Sequence, residues 1–178
     1  MNMHTYVFFC GIKHSGKSTL GRLVAQELGL PWFDLDDLVL ENLVGYPSIR
    51  TFYQEKGQKA FQSEEVKALQ SLYESHPDRC IISLGGGASD NDELLALAKQ
   101  RGSVVYLAVE PEVLLERILR GGIPPFLDPK DPQHSFLALY AKRDERYRNI
   151  CDFLVRLPNY PDVRDTARFL VDKLKSEV

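Results

Sequence analysis

The nonapeptide GIKHSGKST, residues 11–19, directly follows the apolar run YVFFC. Gly11, Gly16, Lys17 and Ser18 satisfy the pattern G-x-x-x-x-G-K-[ST]. Each residue type has a physical reason to be there. Glycines let the backbone turn so that its N–H groups point inward at phosphate oxygens. A helix beginning near Gly16 adds unpaired N–H groups and a partial positive charge. Lys17 can reach the β- and γ-phosphates of a nucleotide, and Ser18 can ligate Mg2+. Four fixed positions of this kind recur by chance in roughly one chain of this length in a hundred or fewer. Here they also lie after a strand-like segment and before a helix-like one, as the chemistry requires.

Two further clusters carry chemical potential. FDLDD holds Asp34, Asp36 and Asp37. On an extended strand end, Asp34 and Asp36 share a side. Beside a phosphate loop, one carboxylate suits a metal-water contact and the other a hydroxyl-directed base. The competing use is capping, since Asp36 or Asp37 can cap the helical pattern LVLENL. SLGGGAS ends another apolar run with Gly85, Gly86 and Gly87. Three glycines permit close approach of a ligand to the backbone, or form a flexible turn.

Alternating strand and helix patterns must position these residues. TYVFFC, PWFDL, RCIISL, SVVYLAV and DFLVRL read as strands. TLGRLVAQEL, DDLVLENLV, QKAFQSEEVKALQSLYES, DNDELLALAKQ, EPEVLLERIL, SFLALYAKRDERYRNI and RDTARFLVDKL read as helices. Gly29 closes the first helix, and Pro111 opens the fifth. This alternation predicts a parallel sheet with helices on its faces. GGIPPFLDPKDPQ, with four prolines and two glycines, breaks the pattern and reads as a mobile flap over a site.

Together these features resemble the shikimate kinase family of small P-loop kinases, over nearly the whole chain. The likeness rests on the phosphate loop, the D-x-D of Asp34 and Asp36, a G-x-x-x-F segment followed by a glutamate, LGGGA, VVYL, a proline-containing lid at about 119–133, and an R-x-x-x-Y helix. It implies one α/β domain over 1–178, a three-layer α/β/α P-loop NTPase fold with a central parallel sheet of about five strands. It implies ATP and Mg2+ as cofactors and transfer of the γ-phosphoryl group to a small hydroxylated acceptor, shikimate first. By the resemblance, Gly11, Ser15, Gly16, Lys17, Ser18, Thr19 and Arg117 serve the nucleotide, and Ser18 with Asp34 serves the metal. Lys17 and Asp36 carry catalysis, Asp36 as base or proton relay at the acceptor hydroxyl. Gly85, Gly86, Gly87 and Arg143 join Asp36 in the acceptor pocket, with Arg143 on an acceptor carboxylate. RLPNYPDV closes over the adenine.

The chain departs from the family pattern at two arginines. Phe61-Gln62 stands where F-R is expected, and Pro124-Pro125-Phe126-Leu127 where R-P-L-L is expected. Losing two charge-assisted hydrogen bonds at about 1.5–3 kcal/mol each weakens binding roughly a hundred- to ten-thousand-fold unless other groups compensate. Gln62 can still donate, without charge. Lys13, inside the phosphate loop, is the first compensating cation, ahead of Arg120, Lys59 and Arg50. A different acceptor (a polyol, sugar acid or cyclitol) and a kinase-like binding or regulatory protein are the alternative readings. His14 reads as an exposed loop residue.

The bulk numbers exclude other classes. The net charge of −3 over 178 residues provides no basic field for nucleic acid. No apolar run approaches the roughly 20 residues of a membrane helix, and MNMHTY lacks the regions of a signal peptide. A cytoplasmic monomer without membrane or nucleic-acid partners is the expectation. Cys10, Cys80 and Cys151 are far apart, and the first two sit in apolar runs, which predicts buried free thiols.

Overall fold

Five short apolar runs pair into one parallel sheet in the computed structural model, which describes residues 6–76, 78–123 and 127–177. The strands are β1 (Tyr6–Cys10), β2 (Trp32–Asp34), β3 (Cys80–Ser83), β4 (Gly102–Ala108) and β5 (Phe153–Arg156). Their order is β2-β3-β1-β4-β5, and every neighbouring pair is parallel. Side chains alternate between faces. Tyr6, Phe8 and Cys10 enter one core, and Val7 and Phe9 the other. A strand apolar on both faces needs cover on both.

That cover makes three layers. On one side lie α1 (Lys17–Leu28) and α7 (Val163–Glu177), which bury Leu20, Val24, Leu170 and Val171 against the sheet. On the other lie α2 (Leu35–Asn42), α3 (Ile49–Ser75), α4 (Asp92–Arg101), α5 (Pro111–Leu119) and α6 (Pro132–Ile150). This is the expected α/β/α P-loop arrangement. Gly29 ends α1 in the left-handed conformation, and Pro111 opens α5. No helix among the described residues is long and apolar enough to cross a membrane. Cys10, Cys80 and Cys151 are free thiols, and the first two are buried. Burial pushes Cys80 up to about 12, which keeps it unreactive.

Two boundaries differ from the sequence reading. The helix read from Gln58 begins at Ile49, because Ser48 Oγ accepts from the Thr51 N–H at 3.1 Å and caps an extra segment. Gly57 (φ 83°, ψ 178°) breaks the helix between that segment and the expected one. The flap is also shorter than read. α6 already starts at Pro132, where a missing N–H costs nothing, with Asp131 accepting from the His134 N–H. Leu127 is buried in the core at 3% exposure, so the flap is anchored at that point. Pro124, Pro125 and Phe126 lie outside the described residues.

Ligands of open α/β sheets bind beyond the carboxyl ends of the strands, and α1 must hold the phosphate loop there. Gly21 lets it approach. A Cβ at this position would lie 2.5 Å from Ser83 Oγ and 2.6 Å from Trp32 Nε1. Those two groups are already bonded to each other at 3.0 Å, and Ser83 Oγ donates to the Lys17 carbonyl at 2.9 Å. Gly21→Ala is therefore expected to cost about 1–3 kcal/mol through overpacking. Thermal denaturation should show a fall in Tm of roughly 2–4 °C per kcal/mol.

Candidate active site

The loop between β1 and α1 folds tightly. A Cβ on Gly11 would lie 2.8 Å from Ser15 Oγ and 2.9 Å from the Leu107 carbonyl. The Ser15 N–H turns back to the Ile12 carbonyl at 3.1 Å. His14 (φ 68°) and Gly16 (φ 89°) both take the left-handed conformation, which curls the loop around its own N–H groups. Ser15 Oγ is buried and makes no hydrogen bond among the described residues. Lys17 is buried as well, and its Nζ donates to the Ile12 carbonyl at 3.3 Å. Burial lowers its pKa to about 8. The result is a concave set of donors holding one cation, which fits a polyphosphate.

Asp34 ends β2 and caps α2. Its Oδ1 accepts from the Asp36 N–H at 3.0 Å, and its Oδ2 accepts from the Ser18 hydroxyl. Capping by Asp36 or Asp37 is thus not what the structure holds. Nor do Asp34 and Asp36 share an extended strand end, because the strand stops at Asp34 and Asp36 lies in the first helical turn. They nevertheless face one cavity. Asp36 Oδ1 is buried without a hydrogen bond among the described residues. Burial raises its pKa, and the neighbouring Asp34 charge adds to the shift. Ser18 and Asp34 place two hard oxygens side by side, a donor set that fits Mg2+ completed by phosphate oxygens. Among the described residues no group of three or more His, Cys, Asp or Glu could enclose an ion unaided.

The glycines after β3 form the floor. A Cβ on Gly85 would lie 2.7 Å from Asp36 Oδ1. One on Gly86 would lie 3.5 Å from Lys13 Cβ. Helix α6 closes the opposite wall with one helical stripe, in which Phe136, Leu139 and Arg143 line the cavity and Tyr147 follows a turn later. Tyr147 fixes the register, since its hydroxyl donates to the Gly86 carbonyl at 3.0 Å and its ring stacks on Tyr106.

Two cavities meet at the phosphate loop. The larger, about 640 Å³, is lined by Lys13, Lys17, Ser18, Asp34, Asp36, the three glycines and Arg143. The smaller, about 530 Å³, is lined by Ser15, Arg117 and the 157–161 segment. Gly16 and Thr19 belong to both. Arg117 ties the smaller one together, donating to the His14 carbonyl at 3.1 Å and to Asn159 Oδ1 at 3.2 Å. His14 is otherwise an exposed loop residue, as read. Gly11 lines neither cavity and acts through the tightness of the loop.

Gln62 departs from the expected pocket. It does not line the larger cavity, and its Nε2 donates to the Asp90 carbonyl at 2.9 Å. Arg120 stands on the smaller cavity, paired with Glu116 at 2.6 Å, and neither Lys59 nor Arg50 lines the larger one.

The family model described as shikimate kinase matches residues 13–172. The chain belongs to the shikimate kinase family. It is 35% identical to a shikimate kinase of Neisseria gonorrhoeae over 97% of this chain and 98% of that one. It is 34% identical to a shikimate kinase of Chlorobaculum tepidum over 83% and 79%. Among solved structures, a shikimate kinase from Acinetobacter baumannii in complex with shikimate superposes with a TM-score of 0.81 at 27% identity, covering 98% of this chain and 94% of that one. Shikimate kinases use ATP as phosphate donor.

One residue of this shikimate kinase family member has a burial that the sequence does not show, although it lies just after the G-x-x-x-F segment. Glu65 is 1% exposed, with Oε2 accepting from Asn91 Nδ2 at 2.9 Å and Oε1 unbonded among the described residues. Asn91 Nδ2 also donates to the Gln62 carbonyl at 3.0 Å, and Asn91 Oδ1 caps α4. Burial raises the Glu65 pKa from 4.5 to about 7, eased by the Asn91 bond. The folded chain therefore holds this proton more tightly than the unfolded one. The stability it contributes is complete below about pH 4.5 and is lost as pH rises through about 7. Glu65→Gln should consequently gain on the parent by roughly 2 kcal/mol more at pH 8 than at pH 5. Urea denaturation at the two pH values measures this, and an equal gain at both would place an ionised Glu65 in the fold.

Proposed function

We propose that this chain transfers the γ-phosphoryl group of ATP to a hydroxyl of shikimate, with Mg2+ bound at Ser18 and Asp34. The observation that carries the reading is the junction of the two cavities. The phosphate cradle lies where they meet, and Asp36 Oδ1, buried and without a hydrogen bond among the described residues, faces the larger one. Relatives named shikimate kinase along almost the full chain, and a neighbour solved with shikimate, support the acceptor.

In this reading ATP lies across the loop, with its base toward Arg117 and Asn159. Backbone N–H groups and Lys17 hold the phosphates in place. Mg2+, when bound, would neutralise part of the negative charge on the phosphates. The acceptor rests on Gly85, Gly86 and Gly87, with its carboxylate toward Arg143. Its hydroxyl oxygen attacks the γ-phosphorus, the bond to the β-bridging oxygen breaks, and ADP leaves. The hydroxyl proton passes to Asp36. Phosphoryl transfer needs little covalent work from the protein, so positioning and charge dominate. Ile118 lines the larger cavity and Arg120 the smaller.

An ADP-release assay with shikimate tests this. Asp36→Asn is expected to lower kcat by about 10²–10⁴-fold, the usual range for a positioned base. Lys17→Ala should abolish saturation by ATP. The base must be ionised, and its pKa lies above the ordinary 3.8. Activity should therefore fall as pH drops through a value above 3.8, and that acid limb should vanish in Asp36→Asn. Phosphorylation of a polyol, sugar acid or cyclitol with none of shikimate would sink the assignment.

A further inference from the structure

We infer that Asn91 is a positioning residue for acceptor binding, which holds the glycine floor to α3 through Glu65 and Gln62. The inference rests on the acceptor site proposed above. Each floor carbonyl has a donor. The Ala88 N–H donates to the Gly85 carbonyl at 3.1 Å and the Asp90 N–H to the Gly87 carbonyl at 3.0 Å, while the Tyr147 hydroxyl donates to the Gly86 carbonyl. Residues 88–90 form one short helical turn. The floor therefore lies where that turn is held.

Two helices hold it. From α6, Arg146 Nε donates to the Ser89 carbonyl at 3.0 Å. From α3, Gln62 Nε2 donates to the Asp90 carbonyl at 2.9 Å, in an exposed position. The buried tie to α3 runs through Asn91. A carboxamide nitrogen has two hydrogens to donate. Asn91 Nδ2 bonds twice to α3, to Glu65 Oε2 at 2.9 Å and to the Gln62 carbonyl at 3.0 Å. Its Oδ1 accepts from the Leu94 N–H at 3.1 Å and so starts α4. Loss of the Nδ2 donor leaves two acceptors on α3 without it, and buried acceptors are costly to strand. The floor has little room to shift, since a Cβ on Gly85 would lie 2.7 Å from Asp36 Oδ1. The smaller cavity takes no residue from 85–91, so the effect falls on the acceptor and not on the nucleotide. Gln62 and Glu65 thereby share one task. Neither lines the larger cavity, and both support its floor.

The test uses Asn91→Asp and Asn91→Ser, which both keep an oxygen for the helix cap and lose the Nδ2 donor. Steady-state kinetics should show KM for shikimate raised about fivefold or more, the weight of one buried hydrogen bond. A floor only partly in place lowers apparent affinity by the fraction that is competent. Such a loss leaves kcat and KM for ATP within about twofold. Adding Glu65→Gln to Asn91→Asp supplies a donor opposite the new carboxylate, and should bring KM for shikimate back to within about threefold of the parent. Hydrogen exchange reads the floor without turnover. The Ala88 and Asp90 amides should exchange about tenfold faster in both single variants, and saturating shikimate should restore their protection. An unchanged KM for shikimate, a matching rise in KM for ATP, or a fall in kcat alone would overturn the inference. So would unchanged exchange at Ala88 and Asp90, or a double variant no better than Asn91→Asp. Those outcomes leave the acceptor assignment standing. A parent that neither binds nor phosphorylates shikimate overturns the acceptor assignment and the inference with it.

Discussion

The carboxylate of Asp34 holds two elements at once, and the site depends on that double attachment. One oxygen accepts the Asp36 N–H in the first turn of α2, and the other accepts the Ser18 hydroxyl at the start of α1. A helix N-terminus carries unpaired N–H groups that need an acceptor. By meeting that need, Asp34 starts α2 one residue after the strand ends. Asp36 is then turned inward over the glycine floor, with no capping duty of its own. The phosphate loop, Ser18, Asp34 and Asp36 are thereby locked in one frame. A carboxylate two residues away from a cap is a different chemical object from the cap itself.

The opposite wall is held by aromatic packing and hydrogen bonds. Tyr147 stacks on Tyr106, whose hydroxyl donates to Asp144 at 2.7 Å, and Asp144 pairs with Arg148 at 2.6 Å. Arg146 reaches the Ser89 carbonyl at 3.0 Å and the carboxylate of Asp92. Helix α6 is therefore pinned both to the sheet and to the segment after the glycines. Arg143 inherits its place from that anchoring. Buried aromatic groups with their polar ends satisfied make a rigid support, and it fixes where Arg143 enters the cavity wall.

Much of this was legible along the chain. The five strands, the α/β/α layering and the phosphate loop follow from apolar periodicity and from glycine and lysine at fixed spacing. The helical segment from Ile49 escaped because its signal is a single capping serine after Pro47, with weak apolar periodicity and a glycine break following it. The pairing of Asp34 and Asp36 was read from strand alternation, yet the two meet the same cavity by a cap and a helical turn. The glutamate after the G-x-x-x-F segment is visible as part of a motif, but nothing local shows that Glu65 is buried, since its burial comes from α4 and Asn91 folding over it. Gln62 had the right neighbours in sequence, but a backbone carbonyl 28 positions away, that of Asp90, claims its carboxamide.

Local physics written in consecutive residues was enough for the phosphate loop, the strands and the helix caps, because glycine torsions, side-chain alternation and N–H satisfaction act over a few positions. The family followed from the order of those motifs. The larger cavity is a different matter. Its cations come from the phosphate loop and α6, its buried carboxylate from the first turn of α2, and its floor from the segment after β3. Only the parallel sheet order, which puts β3 between β2 and β1, brings those pieces within reach of one small molecule. Tertiary structure alone decided that the Lys13 backbone lies against Gly86, that Gln62 turns to the Asp90 carbonyl and that Arg120 lines the smaller cavity. The direction of a long polar side chain is set by whichever partner the fold brings to it.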